Sequence, residues 1–126
     1  MMNWSAIGAI AMALAVVFGA FGAHGLRDRL DAYSMTVYEK AVFYHFVHGI
    51  GLLTVPVLAK VGMLRQSGAS LICWLLTLGI LLFSGSLYAL AISGVRTLGA
   101  ITPFGGLAFI AAWTLLAWEL ARHRLP

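Results

Sequence analysis

The sequence predicts an all-α integral membrane protein, a four-helix bundle with its N- and C-termini on the same side of the bilayer. Three observations predict it. The 126 residues are 62% hydrophobic and 10% charged, whereas soluble domains carry about 25% charged residues. Apolar runs long enough to cross a bilayer recur along the chain, separated by short polar segments. The breaks between them carry the residue types of helix caps and stops. A chain of this length has room for one transmembrane domain, residues 1–126.

The first helix is expected over about residues 4–22. No Lys, Arg, Asp or Glu occurs from Met1 to Leu26. The lack of a basic residue ahead of the apolar run argues for an uncleaved spanning helix over a secretory signal. Ala11, Ala15, Gly19 and Ala23 recur every fourth residue, a small-residue seam that lets a second helix approach closely in lipid. The seam serves either packing within the chain or a homo-oligomer.

The next segment holds Arg27, Asp28, Arg29, Asp31, Glu39 and Lys40. Thr36-Val37-Tyr38-Glu39 fits a capping box, which starts the second helix near residue 36 and ends it near 59, with Pro56 close to its end. After a short basic connection the third helix runs over about 68–92, with Ser93-Gly94 as its stop. Thr102-Pro103 reads as N-cap and first-turn proline of a fourth helix over about 102–118, followed by a basic tail from Glu119 to Pro126.

Four spans put both termini on one side, here side A, with Lys60, Arg65, Arg122 and Arg124. Side B carries Arg27, Arg29, Lys40 and Arg96. The basic residues balance; the compact Lys60/Arg65 hairpin and the basic tail tip the expectation toward side A being cytoplasmic. Trp4, Trp74 and Trp118 fall at the side-A level, as in an aromatic belt.

Several function classes are disfavoured. The formal charge of +4 is scattered in ones and twes along the chain, without the basic stripe of a nucleic-acid binder. One cysteine, Cys73, permits no intrachain disulfide. No Asp or Glu lies mid-span, which argues against a carboxylate-driven exporter, and no internal repeat suggests an inverted-repeat transporter. No serine sits in the spacing of a known nucleophile motif, so no catalysis is expected. Two neighbouring histidines fall short of the three or four ligands of a zinc site, and His24 lies at the wrong depth to share a haem with His48; neither metal nor cofactor is expected.

Intramembrane ionisable groups point instead to a site. With a rise of about 1.5 Å per residue, His45 lies roughly 7 Å and His48 roughly 12 Å below Lys40. Counted from the end of the third helix, Tyr88 and Ser84 fall at matching depths. The expectation is therefore two pairs, His45 with Tyr88 and His48 with Ser84, in a side-B pocket lined also by His24 and Thr102. Such pairs also occur as ordinary helix–helix glue. Arg27 and Arg96 lie near the glycine-rich start of the fourth helix as candidates for an anionic headgroup.

Four segments, Gly19-Ala20-Phe21-Gly22-Ala23-His24-Gly25-Leu26, Tyr44-His45-Phe46-Val47-His48, Phe83-Ser84-Gly85-Ser86-Leu87-Tyr88 and Thr102-Pro103-Phe104-Gly105-Gly106, occur in an order that resembles the YgdD family. Its members are small bacterial inner-membrane proteins of unknown function, with relatives in animals. The resemblance covers almost the whole chain and implies a four-helix protein of the bacterial inner membrane. In that family Gln often stands at the position of His45, while His48 fits the pattern; Ala111-Ala112-Trp113 stands where a Gly more usually precedes the Trp. The resemblance implies no activity.

The leading expectation is a non-enzymatic accessory or lipid- or small-molecule-binding protein, with membrane lipids, a second copy or another membrane protein as its partners. Two alternatives are a small channel or carrier gated by His48, and a redox helper holding quinone or haem between the second and third helices.

Overall fold

The computed structural model describes residues 1–123; Arg124, counted above with side A, Leu125 and Pro126 lie outside them. Four long helices follow one another. Helix α1 is Trp4–Leu26, α2 is Ala32–Lys60 and α3 is Gln66–Ser93. Helix α4 is Thr102–Arg122, entered through a 3-10 turn, Arg96–Ala100. All four helical segments are long and apolar enough to cross a membrane, and no strand occurs among the described residues. Two π-helical turns interrupt the α geometry: Gly22–Leu26, which ends α1, and Ile80–Ser84 within α3.

Three expected boundaries shift, each for a local reason. Helix α2 begins four residues before Thr36, because Asp31 is the N-cap and its carboxylate accepts the Ser34 amide at 2.7 Å. Thr36 instead donates its hydroxyl to the Ala32 carbonyl one turn back. Thr102 is the first residue of α4 and not its cap; the cap is Ile101, and Pro103 stands in the first turn, where its missing amide is not needed. Helix α4 continues past Trp118 to Arg122. The glycine stop of α3 is as expected: Gly94 is left-handed, with φ of 74°, and its amide bonds the Leu90 carbonyl.

Helices α2 and α3 pack side by side, with α1 against α2 and α4 against α3. Small residues allow this. Gly8, Ala15 and Gly22, at heptad spacing, are buried on α1. A Cβ on Gly8 would lie 2.9 Å from the Leu52 backbone. Ala11 and Gly19 of the small-residue seam also face α2, near Gly49 and Val42 respectively; that stretch of the seam is thus occupied within the chain, while Ala23 is exposed. On the other flank a Cβ on Gly105 would fall on the backbone of Leu82 and Phe83, and one on Gly79 on the Phe109 ring. Close backbone approach of this kind is how helices gain van der Waals contact in lipid, where no hydrophobic force drives them together.

The two core clusters divide along the bilayer. Leu52, Val55, Ile72, Leu76, Phe109 and Leu116 fill the side-A half. Tyr38, Ala41, Leu87, Tyr88 and Ala91 fill the side-B half. Two contacts hold the side-A end together. Trp4 meets Trp74 edge-on at 5.0 Å between ring centres. Arg65, at the start of α3, forks onto Glu119 of α4, with Nη2 at 2.6 Å from Oε1 and Nε at 3.2 Å from Oε2. Glu119 is buried, and Gly68 makes room for its carboxylate.

Candidate functional site

A groove of about 340 Å³ runs between α1 and α3. Its walls are apolar: Ile10, Leu14 and Phe18 from α1, Ile80 and Leu81 from α3, and Leu52 beneath them from α2. Three polar side chains interrupt them, namely His45, Tyr88 and Thr77. Thr77 returns its hydroxyl to the Cys73 carbonyl at 2.9 Å, leaving His45 and Tyr88 as the polar feature.

His45 Nδ1 lies 2.9 Å from the Tyr88 hydroxyl, and both side chains are buried. Phe18 stacks on Tyr88 with ring centres 4.6 Å apart, and Tyr38 lies tilted against it at 5.2 Å. Tyr38 itself is tied to α1 by donating to the Phe18 carbonyl. The tyrosine ring is therefore held from two sides while its hydroxyl reaches the histidine. In the Nε2–H tautomer, Nδ1 accepts the Tyr88 proton. The phenolic oxygen then retains lone pairs for a hydroxyl donor entering the groove.

The expected second pair does not form. Ser84 donates to the Ala41 carbonyl at 2.8 Å, and His48 Nδ1 donates to the Tyr44 carbonyl of its own helix at 2.6 Å. His48 faces α4 instead. It stacks on Phe109 with ring centres 3.4 Å apart and planes 11° apart, and Trp113 lies at 5.9 Å. The His48 ring is thus packed against α4 and bonded to its own helix. Three residues of helix leave an angular offset of about 60°, enough to turn His45 toward α1 and α3 while His48 meets α4.

The remaining candidates are dispersed. His24 is exposed on the last turn of α1. Thr102 pairs with Ser86 at 2.6 Å, and since Ser86 donates to the Phe83 carbonyl, Thr102 is the donor. The six residues expected to line one pocket thus fall in five places. Arg27 and Arg96 part as well. Arg27 shares a cleft between α1 and α2 with Glu39, while Arg96 lies over the Tyr33 ring at 4.7 Å. Among the described residues no group of three or more His, Cys, Asp or Glu is placed to hold a metal ion.

Sequence reasoning missed the α1 wall of the groove and the Arg65–Glu119 fork. Glu119 was assigned to the tail. Its signal was its isolation: it is the only acid on side A, at the end of an apolar run.

These features define a small multi-pass membrane protein with an apolar groove between α1 and α3 that carries one histidine–tyrosine pair. The chain belongs to the family described as "Protein of unknown function (DUF423)", whose model matches residues 18–106. It is similar to the UPF0382 membrane protein SH2409 of Staphylococcus haemolyticus, 48% identical over 110 residues, covering 87% of this chain and 88% of the relative. It is also similar to the UPF0382 membrane protein YwdK of Bacillus subtilis, 44% identical over 121 residues, covering 93% and 94%. No solved structure matches the chain. The matched segment includes His45 and Tyr88 but neither the first turns of α1 nor Glu119.

Proposed function

We propose that the protein is a non-enzymatic membrane protein that holds an amphiphilic small molecule in the groove between α1 and α3. The observation that carries this reading is the hydrogen-bonded His45–Tyr88 pair in the wall of an otherwise apolar, lipid-open groove of about 340 Å³. Apolar pockets with a few converging polar groups are the usual form of small-molecule sites. The chemistry favours an apolar body ending in a hydroxyl, as in a prenol or quinol. The apolar part would lie along Leu14, Phe18 and Leu81, and the hydroxyl would donate to the Tyr88 oxygen. The gate reading of His48 gains no comparable support, because that ring is stacked on Phe109 and bonded to its own helix.

The test is native mass spectrometry of protein extracted with its surrounding lipid. A bound species carrying a hydroxyl should accompany the wild type and be depleted in both His45→Leu and Tyr88→Phe, with His48→Ala retaining it. An empty wild-type groove, or equal occupancy in all variants, would overturn the reading.

The bacterial inner membrane is the proposed location, with both termini cytoplasmic; the basic Lys60/Arg65 hairpin and Arg122 on one side support that orientation. The shared motifs likewise support treating the YgdD family and the matched family as one group.

A further inference from the structure

A second cleft, of about 470 Å³, opens on side B where α2, α3 and the start of α4 meet. Tyr33, Val37 and Lys40 form its α2 wall, Phe83 and Leu87 its α3 wall, and Thr102 its α4 edge. It lies across the bundle from the α1–α3 groove and shares no lining residue with it.

We infer that this cleft binds the headgroup of an anionic phospholipid, with Lys40 as the principal cation. Charge is the first argument. The lining holds one charged residue, Lys40, and no acid. A second cation stands at its margin: Arg96 lies 4.7 Å above the centre of the Tyr33 ring, and Tyr33 is part of the wall. Asp31 attracts Arg96, so the arginine's charge is partly answered. Lys40 makes no ion pair among the described residues. The neighbouring α1–α2 cleft offers the contrast, since Arg27 and Glu39 line it together and their charges offset each other. An anion is favoured in the first cleft and not in the second.

Depth is the second argument. Leu90 lies beside Gly99 at the side-B end of the cleft; Lys40, exposed two turns into α2, can snorkel back to that end, while Phe83 and Leu87 continue the cleft toward the apolar layer. A phosphate beside Lys40 would have its acyl chain against those side chains. A phosphate without chains would leave that wall unused, which separates a lipid from a soluble anion. The cleft edge is fixed in width, because the Thr102–Ser86 bond ties the start of α4 to α3. A basic side chain at an anionic membrane surface contributes about 1 kcal/mol, which corresponds to about a fivefold change in affinity.

The experiment titrates the purified full chain in nonionic detergent with phosphatidylglycerol, phosphatidylcholine or inorganic phosphate, reading the thermal unfolding midpoint. Phosphatidylglycerol should raise the midpoint in the wild type and in Arg27→Gln. Its apparent affinity should fall about fivefold in Lys40→Gln and recover in Lys40→Arg. Equal affinity in Lys40→Gln and wild type would overturn the assignment. So would phosphatidylcholine binding as tightly as phosphatidylglycerol, or inorganic phosphate giving the same shift, which would mark a soluble-anion site. Because Lys40 is exposed, its replacement leaves the core intact. A competition by native mass spectrometry on the wild type alone gives a second reading, in which preferential retention of phosphatidylcholine would also overturn the assignment.

Discussion

Two histidines on one helix have acquired different neighbours. His45 hydrogen-bonds across the bundle to Tyr88, while His48 returns to the backbone of its own helix and stacks on Phe109. The energetic consequence is measurable in double-mutant cycles. His45→Leu and Tyr88→Phe should be coupled by about 0.6 kcal/mol, the mean for interhelical hydrogen bonds in lipid. His48→Ala and Ser84→Ala should add to within about 0.5 kcal/mol. Thermal unfolding of the four single and two double variants in detergent checks both; coupling in the second pair larger than in the first would contradict the geometry. The depth count found His45 with Tyr88 because rise along a helix is fixed by its backbone. It failed for His48 because depth carries no information about which neighbouring helix a side chain meets, and Ser84 lies in a π turn that no periodic count anticipates.

At the scale of the element, the starts of three helices were legible to within two residues and the start of α2 was not. Apolar content marks a span to within a few residues, but several side chains near a terminus compete to cap it. At α2 the competitor that won was Asp31. The Ser34 backbone amide, then the Ser34 hydroxyl, and then Arg96 hold the Asp31 carboxyl below its ordinary value of 3.8, against a small opposing effect of desolvation. A carboxyl with a lowered value stabilises the folded end above its ordinary range and loses that contribution as pH falls through the lowered value. The first turn of α2 should therefore keep its amide protection at pH 5 and above and fray below about pH 4. Asp31→Asn should retain the cap without that pH dependence. Hydrogen exchange at Ser34 is the measurement, and fraying unaffected by acid in the wild type would remove Asp31 as the cap. Thr36→Ala should leave the helix start unchanged, because its hydroxyl only back-bonds to Ala32.

For the whole molecule, the four-span plan was legible from composition and length, since a charge-poor chain of repeated apolar runs has few other ways to satisfy its backbone. Contacts between distant spans were not legible, because they depend on rotation about each helix axis. The Arg65–Glu119 fork shows what that hides. Its partners are 54 residues apart, and it joins the α2–α3 hairpin to the end of α4. Arg65→Gln and Glu119→Gln should each lower the thermal midpoint, and the double variant should lose less than the sum of the two. Midpoints at low and high salt check this; strictly additive losses would mean the fork contributes nothing. Loss of the fork should loosen the side-A end while leaving the His45–Tyr88 pair, in the side-B half, in place.

Helix α3 is continuous, yet its π turn at Ile80–Ser84 makes it two half-helices whose phases differ by one inserted residue. The half toward side A presents Gly79 to Phe109 of α4; the half toward side B presents Tyr88 to His45 of α2. One uninterrupted α-helix would carry the second half about 100° around its axis, and the tyrosine would point away from the histidine. The pairing thus depends on the π turn absorbing that extra residue. A chain shortened by one residue between positions 80 and 84 should close the turn into regular α geometry and keep the two halves in phase, whereas a regular helix of the present length would not.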